Sequence, residues 1–253
     1  MGRLLRLSYL AYVGTGVFGN LKNHILNKSI VPITQIIFFA LVAYFFRDDS
    51  YVNYVLVGNV VFMLVLSNIL GVVTSVARDR EIGLMQFILI SPIERYLFLL
   101  SKAFIHIFDG LFMSIIGFLF ISFFWTINIS SLEFIALLGL LLLLSISLSM
   151  MGVFLGVLTF IYKDTVSIAN FSMLGLLFIS GINFPTVQLP LVLDLLSYTT
   201  PLKYGVTLIR DFLDGAKFDV VNLIIMIIIG LFYFLLALIM MNMIERKLTS
   251  KTF

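Results

Sequence analysis

Long, mostly apolar stretches dominate the chain, and short groups of charged residues separate them. The stretches number six: residues 30–46, 52–77, 104–125, 134–161, 166–184 and 220–243. A helix needs about 20 apolar residues to cross the roughly 30 Å hydrocarbon core of a bilayer. Apolar and polar positions do not alternate within the stretches, as they would in the strands of a membrane barrel. The pattern therefore predicts six membrane-spanning helices.

Two segments on one side of these stretches have the pattern of surface helices. Residues 3–27 mix basic and apolar side chains, which predicts an amphipathic helix on the inner membrane surface before Pro32 opens the first span. Residues 78–95 begin with four alternating charges that should stop the second span at the headgroups, and end at Pro92. Between the four charges and Pro92, apolar residues recur at helical spacing, which predicts a short amphipathic helix along the cytoplasmic face.

The segment between the last two stretches, residues 185–219, is too long for a simple loop. It contains two apolar pieces, residues 189–196 and 202–213, and neither is long enough to cross a bilayer. We expect two short extracellular re-entrant helices here, which dip into the outer leaflet or lie on it.

Composition agrees with a membrane protein. Of 253 residues, 61% are hydrophobic and only 11% are charged, whereas about a quarter of the residues in a typical soluble domain are charged. The chain has no cysteine, which excludes disulfides, thiolate nucleophiles and cysteine-bound metals. These figures predict an all-α integral membrane protein with one domain over residues 1–253.

The basic residues indicate the orientation of the spans. If the N-terminus is cytoplasmic, twelve of the sixteen Lys and Arg residues lie on the inner side. Inner loops of membrane proteins carry an excess of such residues. Both termini should therefore be cytoplasmic in a cell membrane (plasma or inner), and the net charge of +3 reflects attraction to anionic lipid rather than binding of nucleic acid.

The sequence has no catalytic constellation. It lacks the G-x-x-x-x-G-K-[ST] loop that cradles nucleotide phosphates, and its two histidines, His24 and His106, give no metal-binding motif. Asp109 lies about one turn into the third span, on the same helical face as His106. No acid lies near the middle of any span, which argues against a proton- or sodium-coupled carrier.

Neutral polar residues in the second and fifth spans are the remaining candidates for a substrate pathway. Interhelical hydrogen bonding is the plainer interpretation of the same side chains, and small residues at four-residue spacing (such as Ser67, Gly71 and Ser75) similarly favour close helix packing. The pathway candidates are Asn59, Ser67, Asn68, Ser75, Asn170, Ser172 and Asn183.

Two motifs resemble those of a known family. Arg78-Asp79-Arg80-Glu81 with Gly83 is followed by Ser91-Pro92-Ile93 and Lys102. The outer segment carries Ser180-Gly181-Ile182-Asn183-Phe184-Pro185, Leu189-Pro190, Pro201-Leu202, and Arg210 before Gly215. Together with the six-span pattern, these motifs resemble the ABC-2 type transporter permeases. Thr200 stands where the family pattern usually has Asn.

The resemblance implies that the chain works as half of an exporter. Two permease subunits, identical or different, would pair around the second and fifth spans, and each would dock a separate P-loop ATPase subunit that binds ATP and Mg²⁺. No cofactor would be bound by this chain itself. The ATPase-coupling residues would be Arg78, Asp79, Arg80, Glu81, Ile82, Gly83, Leu84, Met85 and Gln86. The exit gate would comprise Phe184, Pro185, Pro201 and Arg210.

The expected function is export of an amphipathic or lipid-like substrate, such as a drug, an antimicrobial peptide, a lipid or a lipid-linked glycan. Abundant Phe and the lack of charge in the middle of the spans favour such a cargo. The alternative is a self-sufficient channel or secondary carrier without an ATPase partner. A membrane-embedded enzyme is a third interpretation, and it lacks any catalytic constellation.

Overall fold

The structure is a computed structural model that describes residues 6, 8, 21–46, 49–83, 94–124, 130–162 and 165–249. Its longer helices overlap the apolar stretches, although two of them begin nine residues earlier than the pattern predicts, and the described residues form no strand. In chain order the helices are α1 (Leu21–Phe46), α2 (Asp49–Val65), α3 (Gly71–Glu81), α4 (Arg95–Phe124), α5 (Ser131–Leu158), α6 (Thr165–Ile179), α7 (Leu191–Ser197), α8 (Pro201–Leu213) and α9 (Val220–Thr249).

Four of the described helical segments are long and apolar enough to cross a membrane. They are Tyr51–Glu81, Arg95–Phe124, Leu132–Leu158 and Val220–Arg246. Two further apolar helical segments, Pro32–Phe45 and Ser167–Ile179, are shorter. An all-helical, multi-pass membrane architecture is confirmed by these segments, and the count of six spans stays a prediction.

The first helix extends further toward the N-terminus than the apolar pattern indicates. α1 begins at Leu21 instead of residue 30, and Pro32 lies inside it. A proline after the first turn removes one backbone hydrogen bond, a loss that helices inside membranes tolerate when neighbouring groups compensate. Most of the predicted surface helix, residues 3–27, lies outside the described residues.

The second span is one continuous rod built from three parts. Between α2 and α3 lies a π-helical segment, Leu66–Leu70, in which the Gly71 N–H donates to the carbonyl of Leu66 five residues earlier. The helix does not stop at residue 77, because it continues through the four charges to Glu81. Gly83, two residues past the last helical residue, terminates it with a φ of 71°, a left-handed conformation that glycine adopts easily. The predicted cytoplasmic helix that follows, from residue 84 onward, lies outside the described residues.

α5 lies at the centre of the helix bundle. Leu137, Leu141, Leu144 and Leu148 are almost completely buried in it. A capping box starts α5, in which the Ser130 side chain accepts a hydrogen bond from the Glu133 N–H and the Glu133 side chain accepts one from the Ser130 N–H. The helices that contact α5 are the second span, α4, α8 and α9.

The fifth apolar stretch gives a shorter helix than expected. α6 ends at Ile179, and residues 180–185 form an irregular segment before the short helices α7 and α8. Gly181 has a φ of 76°, which ends the helix, and other helices bind the carbonyl groups that a longer helix would use. α8 begins with Pro201 at its first turn, a position where the missing N–H costs nothing.

Candidate functional site

Arg210 is the centre of a cluster at the predicted outer end of the molecule. Its guanidinium donates to the carbonyl of Gly181 at 2.7 Å and to those of Tyr54 and Ile182 at 2.8 Å. The guanidinium carbon also lies 3.3 Å from the centroid of the Tyr54 ring, a close cation–π contact. Burial lowers the pKa of Arg210 to about 10, so the side chain is still charged at neutral pH. One cation therefore joins α8, α2 and the irregular segment.

Two tyrosines of α2 hold the same irregular segment. The Tyr54 hydroxyl donates to the carbonyl of Gly181 at 2.7 Å, and the Tyr51 hydroxyl donates to that of Asn183 at 2.6 Å. The close approach also requires Gly58, because a Cβ atom there would lie 2.3 Å from the Ile182 carbonyl oxygen. We call this set (Arg210, Tyr51, Tyr54, Gly58 and residues 180–183) the outer clamp.

Two of the predicted pathway residues meet beside the outer clamp. The Asn59 amide donates to the Asn183 side-chain oxygen at 2.7 Å, and Gln35 donates to Asn59 at 3.4 Å. These bonds link α1, α2 and the segment after α6. Next to them is an apolar pocket with the Asn183 amide at its edge, lined by Phe39, Val42, Ala43, Tyr51, Val55, Asn183 and Phe184.

Asn68, another predicted pathway residue, makes interhelical hydrogen bonds instead of lining that pocket. It lies in the π-helical segment, is fully buried, and accepts hydrogen bonds from Ser145 at 3.1 Å and Ser149 at 2.7 Å. Glycines of α4 and α5 make room for it: a Cβ at Gly110 would lie 2.5 Å from its Nδ2, and one at Gly152 would lie 2.4 Å from its carbonyl oxygen.

The other predicted pathway residues are spread over different environments. Ser67 and Ser75 are buried, Ser172 is half-buried, and Asn170 is exposed. The predicted gate residues differ in the same way, since Pro201 is buried, Pro185 is half-buried and Phe184 is exposed. The geometry thus brings together Asn59, Asn183, Phe184 and Arg210, and it does not bring the rest to the same place.

A buried ion pair closes the opposite end of the second span. The Lys102 ammonium lies 2.5 Å from the Asp79 carboxylate, and the two side chains are 4% and 10% exposed. Lys102 is two turns into α4, so the pair joins the end of α3 to the next span. Charges at such depth need a partner, because removing an ion from water costs several kcal/mol.

Arg80 makes a second connection from the same end of α3. It donates to the carbonyls of Thr159 at 2.5 Å and Tyr162 at 2.6 Å. Thr159 is the residue at which α5 ends, and Tyr162 lies at the end of the turn that follows. Arg80 therefore binds the turn just after α5. Arg95 and Glu245 form a further ion pair between the start of α4 and the end of α9.

The four charges at the end of the second span thus face different ways. Asp79 and Arg80 bind within the chain, whereas Arg78, Glu81 and Ile82 are exposed, and Ile82 exposes 65% of its surface. Gly83 is the last described residue of the predicted ATPase-coupling set; Leu84, Met85 and Gln86 lie outside the described residues.

His106 and Asp109, singled out by their position in the third span, lie close to each other. The His106 Nδ1 and an Asp109 carboxylate oxygen are 4.0 Å apart, and both residues are largely buried. Gly71 makes room for the ring, because a Cβ there would lie 2.5 Å from His106 Nδ1.

Sequence comparison decides the family. The model of the ABC-2 type transporter family matches residues 16–213, which is most of the chain. The chain belongs to the ABC-2 type transporter family. The matched region of this ABC-2 protein includes the outer clamp and the Asp79–Lys102 ion pair, and α9 lies beyond it. A comparison with curated proteins gave no match.

The sequence motifs missed several of the residues that make these contacts. Tyr54 and Gly58 fall inside the second apolar stretch and Tyr51 immediately precedes it, and their three- and four-residue spacing is their only signal. Ser145 and Ser149 likewise have helical spacing in an apolar helix. Lys102 was part of a recognised motif, but that motif did not identify Asp79 as its partner.

Proposed function

We propose that this ABC-2 protein is the permease subunit of an ATP-driven exporter. A separate P-loop ATPase subunit docks on its cytoplasmic face, and two permease subunits form the transport unit. The substrate is an amphipathic or lipid-like molecule. ATP and Mg²⁺ bind to the ATPase, and the permease supplies the pathway.

The observation that carries this proposal is the arrangement of charges at the end of α3. Asp79 and Arg80 fasten this end to α4 and α5, while Glu81 and Ile82 remain exposed beside them. Both residues are therefore accessible to a partner subunit, Glu81 through its charge and Ile82 through its apolar side chain. A partner that pushes on this end would act directly on three helices.

The pocket beside the outer clamp supports an amphipathic substrate. Its lining is almost wholly apolar, and the Asn183 amide supplies one polar group at its edge. Such a surface fits an apolar tail with a hydrogen-bonding group near it.

The exposed face of α6 supports a second permease subunit. Asn170 and Phe171 are exposed next to each other, and Phe171 exposes 75% of its surface. An amide is poorly solvated by hydrocarbon, so a protein surface is a better neighbour for it than lipid.

The test is reconstitution with P-loop ATPases encoded beside this protein. The two chains are co-purified and placed in vesicles, and ATP-dependent movement of a short-chain fluorescent phospholipid and of a cationic dye is measured. We expect one ATPase to bind and transport of at least one probe to require ATP. Transport without any ATPase would support the self-sufficient carrier instead.

Two variants of the exposed end sharpen the test. Glu81→Lys should leave membrane insertion intact and uncouple hydrolysis from transport. Ile82→Asp should weaken ATPase binding by about tenfold or more, because it places a charge in the contact. Val187→Asp is the matched control, since Val187 is 91% exposed in the outer segment and should tolerate the change. Normal coupling in both inner variants would contradict the docking assignment.

A further inference from the structure

The second span is attached to its neighbours by charged side chains at the end of α3 and by neutral hydrogen bonds in its middle, where Asn68 accepts from Ser145 and Ser149 of α5. At the end of α3, Asp79 binds Lys102 of α4, and Arg80 binds the carbonyls of Thr159 and Tyr162 just after α5. At the opposite end, the outer clamp binds Tyr54 and Gly58 of α2 to the segment after α6. The π-helical segment Leu66–Leu70 lies between the two attachments.

This arrangement divides the second span mechanically. A π-helical turn has longer and less regular hydrogen bonding than an α-helix, and such turns are common where helices bend or bear function. The parts on either side of it pack against α4 and α5, but they are held by different polar contacts: the outer clamp on one side, and Asp79 and Arg80 on the other. A force applied at Glu81 would therefore reach the π-helical segment before it reached the outer clamp.

We propose that Asp79 and Lys102 are positioning residues that transmit movement of the ATPase-docking end to α4. With Arg80 on α5, they make α3 and the cytoplasmic ends of α4 and α5 one moving unit, and the π-helical segment is the joint between this unit and the outer clamp. This inference rests on the proposed exporter function.

The ion pair suits this role better than a packing contact would. Two opposite charges 2.5 Å apart and shielded from water resist separation, because each would be left buried without a partner. An apolar contact between the same helices could slide at little cost. The pair therefore fixes the relative position of α3 and α4 even when an external force acts on one of them.

Charge removal separates a transmitting role from a purely stabilising one. Asp79→Asn and Lys102→Gln each leave one buried charge, so both should lose stability and transport. The double variant leaves no unbalanced charge. We expect it to recover thermal stability and ATPase binding, while transported substrate per ATP hydrolysed stays at least about fivefold below the wild-type value. The exchange variant, Asp79→Lys with Lys102→Asp, should recover thermal stability and also the amount of substrate transported per ATP hydrolysed.

A distance measurement gives a readout that is independent of transport. The chain has no cysteine, so spin labels can be attached to Thr74→Cys on α3 paired with Phe108→Cys on α4, or with Val187→Cys in the outer segment. All three sites are exposed, and none lies in the proposed ATPase contact. When the ATPase is trapped with ATP and vanadate, we expect the 74–187 distance to change and the 74–108 distance to stay constant. In the double neutral variant, the 74–108 distance should change as well.

The outcomes are distinct. Normal transport per ATP in the double neutral variant, or a 74–108 distance that changes in the protein with Asp79 and Lys102 intact, would overturn the transmitting role and leave the exporter function intact. A wild-type complex that binds no ATPase and transports nothing with ATP would overturn both. Low coupling with restored stability, together with the expected distances, would support the inference.

Discussion

The two ends of the second span hold buried charges in different ways. Arg210 binds only backbone carbonyls and an aromatic ring, whereas Lys102 binds a carboxylate. Carbonyl acceptors belong to the backbone, so no side-chain substitution can remove them. The Asp79 carboxylate can be removed together with its partner. The outer clamp should therefore be irreplaceable, and the inner pair should be exchangeable as far as stability is concerned.

The strongest test of this difference is Arg210→Met. It would remove three hydrogen bonds from a charged donor and a cation–π contact, although the Tyr54 hydroxyl would still donate to the Gly181 carbonyl. We expect a loss of about 5 kcal/mol in the free energy of unfolding. Arg210→Lys should recover little of it, because one ammonium cannot reach three carbonyls on two elements. Thermal unfolding of purified protein in detergent measures the effect.

Lys203→Met is a control in the same helix. Lys203 donates to Asp194 at 3.2 Å and to Ser197 at 2.7 Å, and its side chain is 12% exposed, so its loss should cost about 2 kcal/mol. Equal losses for the two variants would show that the outer clamp is no more important than this neighbouring ion pair.

The inner pair should respond differently to single and double apolar substitution. Lys102→Met alone should cost about 3 kcal/mol, because it leaves the Asp79 carboxylate buried without a partner. Adding Asp79→Leu should restore stability to within about 1 kcal/mol of the wild type. The same unfolding assay checks both. A double variant as unstable as the single one would mean that the inner pair is as irreplaceable as the outer clamp.

Two glycines with left-handed backbone give a smaller contrast. Gly181→Ala in the outer clamp should cost about 2 kcal/mol, because its backbone is strained for alanine and its Cβ would lie 3.1 Å from Thr186. Gly83→Ala has the same backbone requirement, but none of the residues that the structure describes has an atom within 4 Å of the new Cβ, so a loss of about 1 kcal/mol is expected. A larger loss at Gly83 would reverse the comparison.

The smallest expected effect is a pH dependence at the outer end. Burial, with Asp214 and Asp219 nearby, raises the pKa of Asp211 above its ordinary 3.8. The folded state then holds this proton more tightly than the unfolded state, so stability should rise as the pH falls through the raised pKa toward 3.8. Asp211→Asn should remove this contribution and be stabilising at neutral pH by less than about 1 kcal/mol. An identical pH profile for wild type and variant would contradict it.

Apolar patterning predicted the helical architecture well, because lipid allows few alternatives to a helix for an apolar chain. It located the outer segment and its two short helices, and the motifs included Arg210, Asp79 and Lys102. It could not predict what these residues bind. The partners of Arg210 are carbonyls, which every residue has, so no side-chain pattern reveals them.

Other details depend on tertiary contacts. Asp79 and Arg80 were expected to contact the ATPase, yet both are occupied within the chain, and exposure distinguishes them from Glu81. Asn68 is a polar residue in a span, which fits a substrate pathway, but two serines on α5 donate hydrogen bonds to it and hold it between helices. Helical spacing alone could not separate these roles.

The π-helical segment also has a consequence for how such a helix can change over generations. One hydrogen bond there spans five residues instead of four, which is the geometry left by one extra residue in a helix. The wider turn absorbs that residue locally, so the parts of the helix on either side keep the facing they would have without it. Loss of a single codon from Leu66–Leu70 would therefore restore an even helix while Asp79 and Arg80 keep their present neighbours. One inherited insertion or deletion could thus create or remove the joint without rewiring either end.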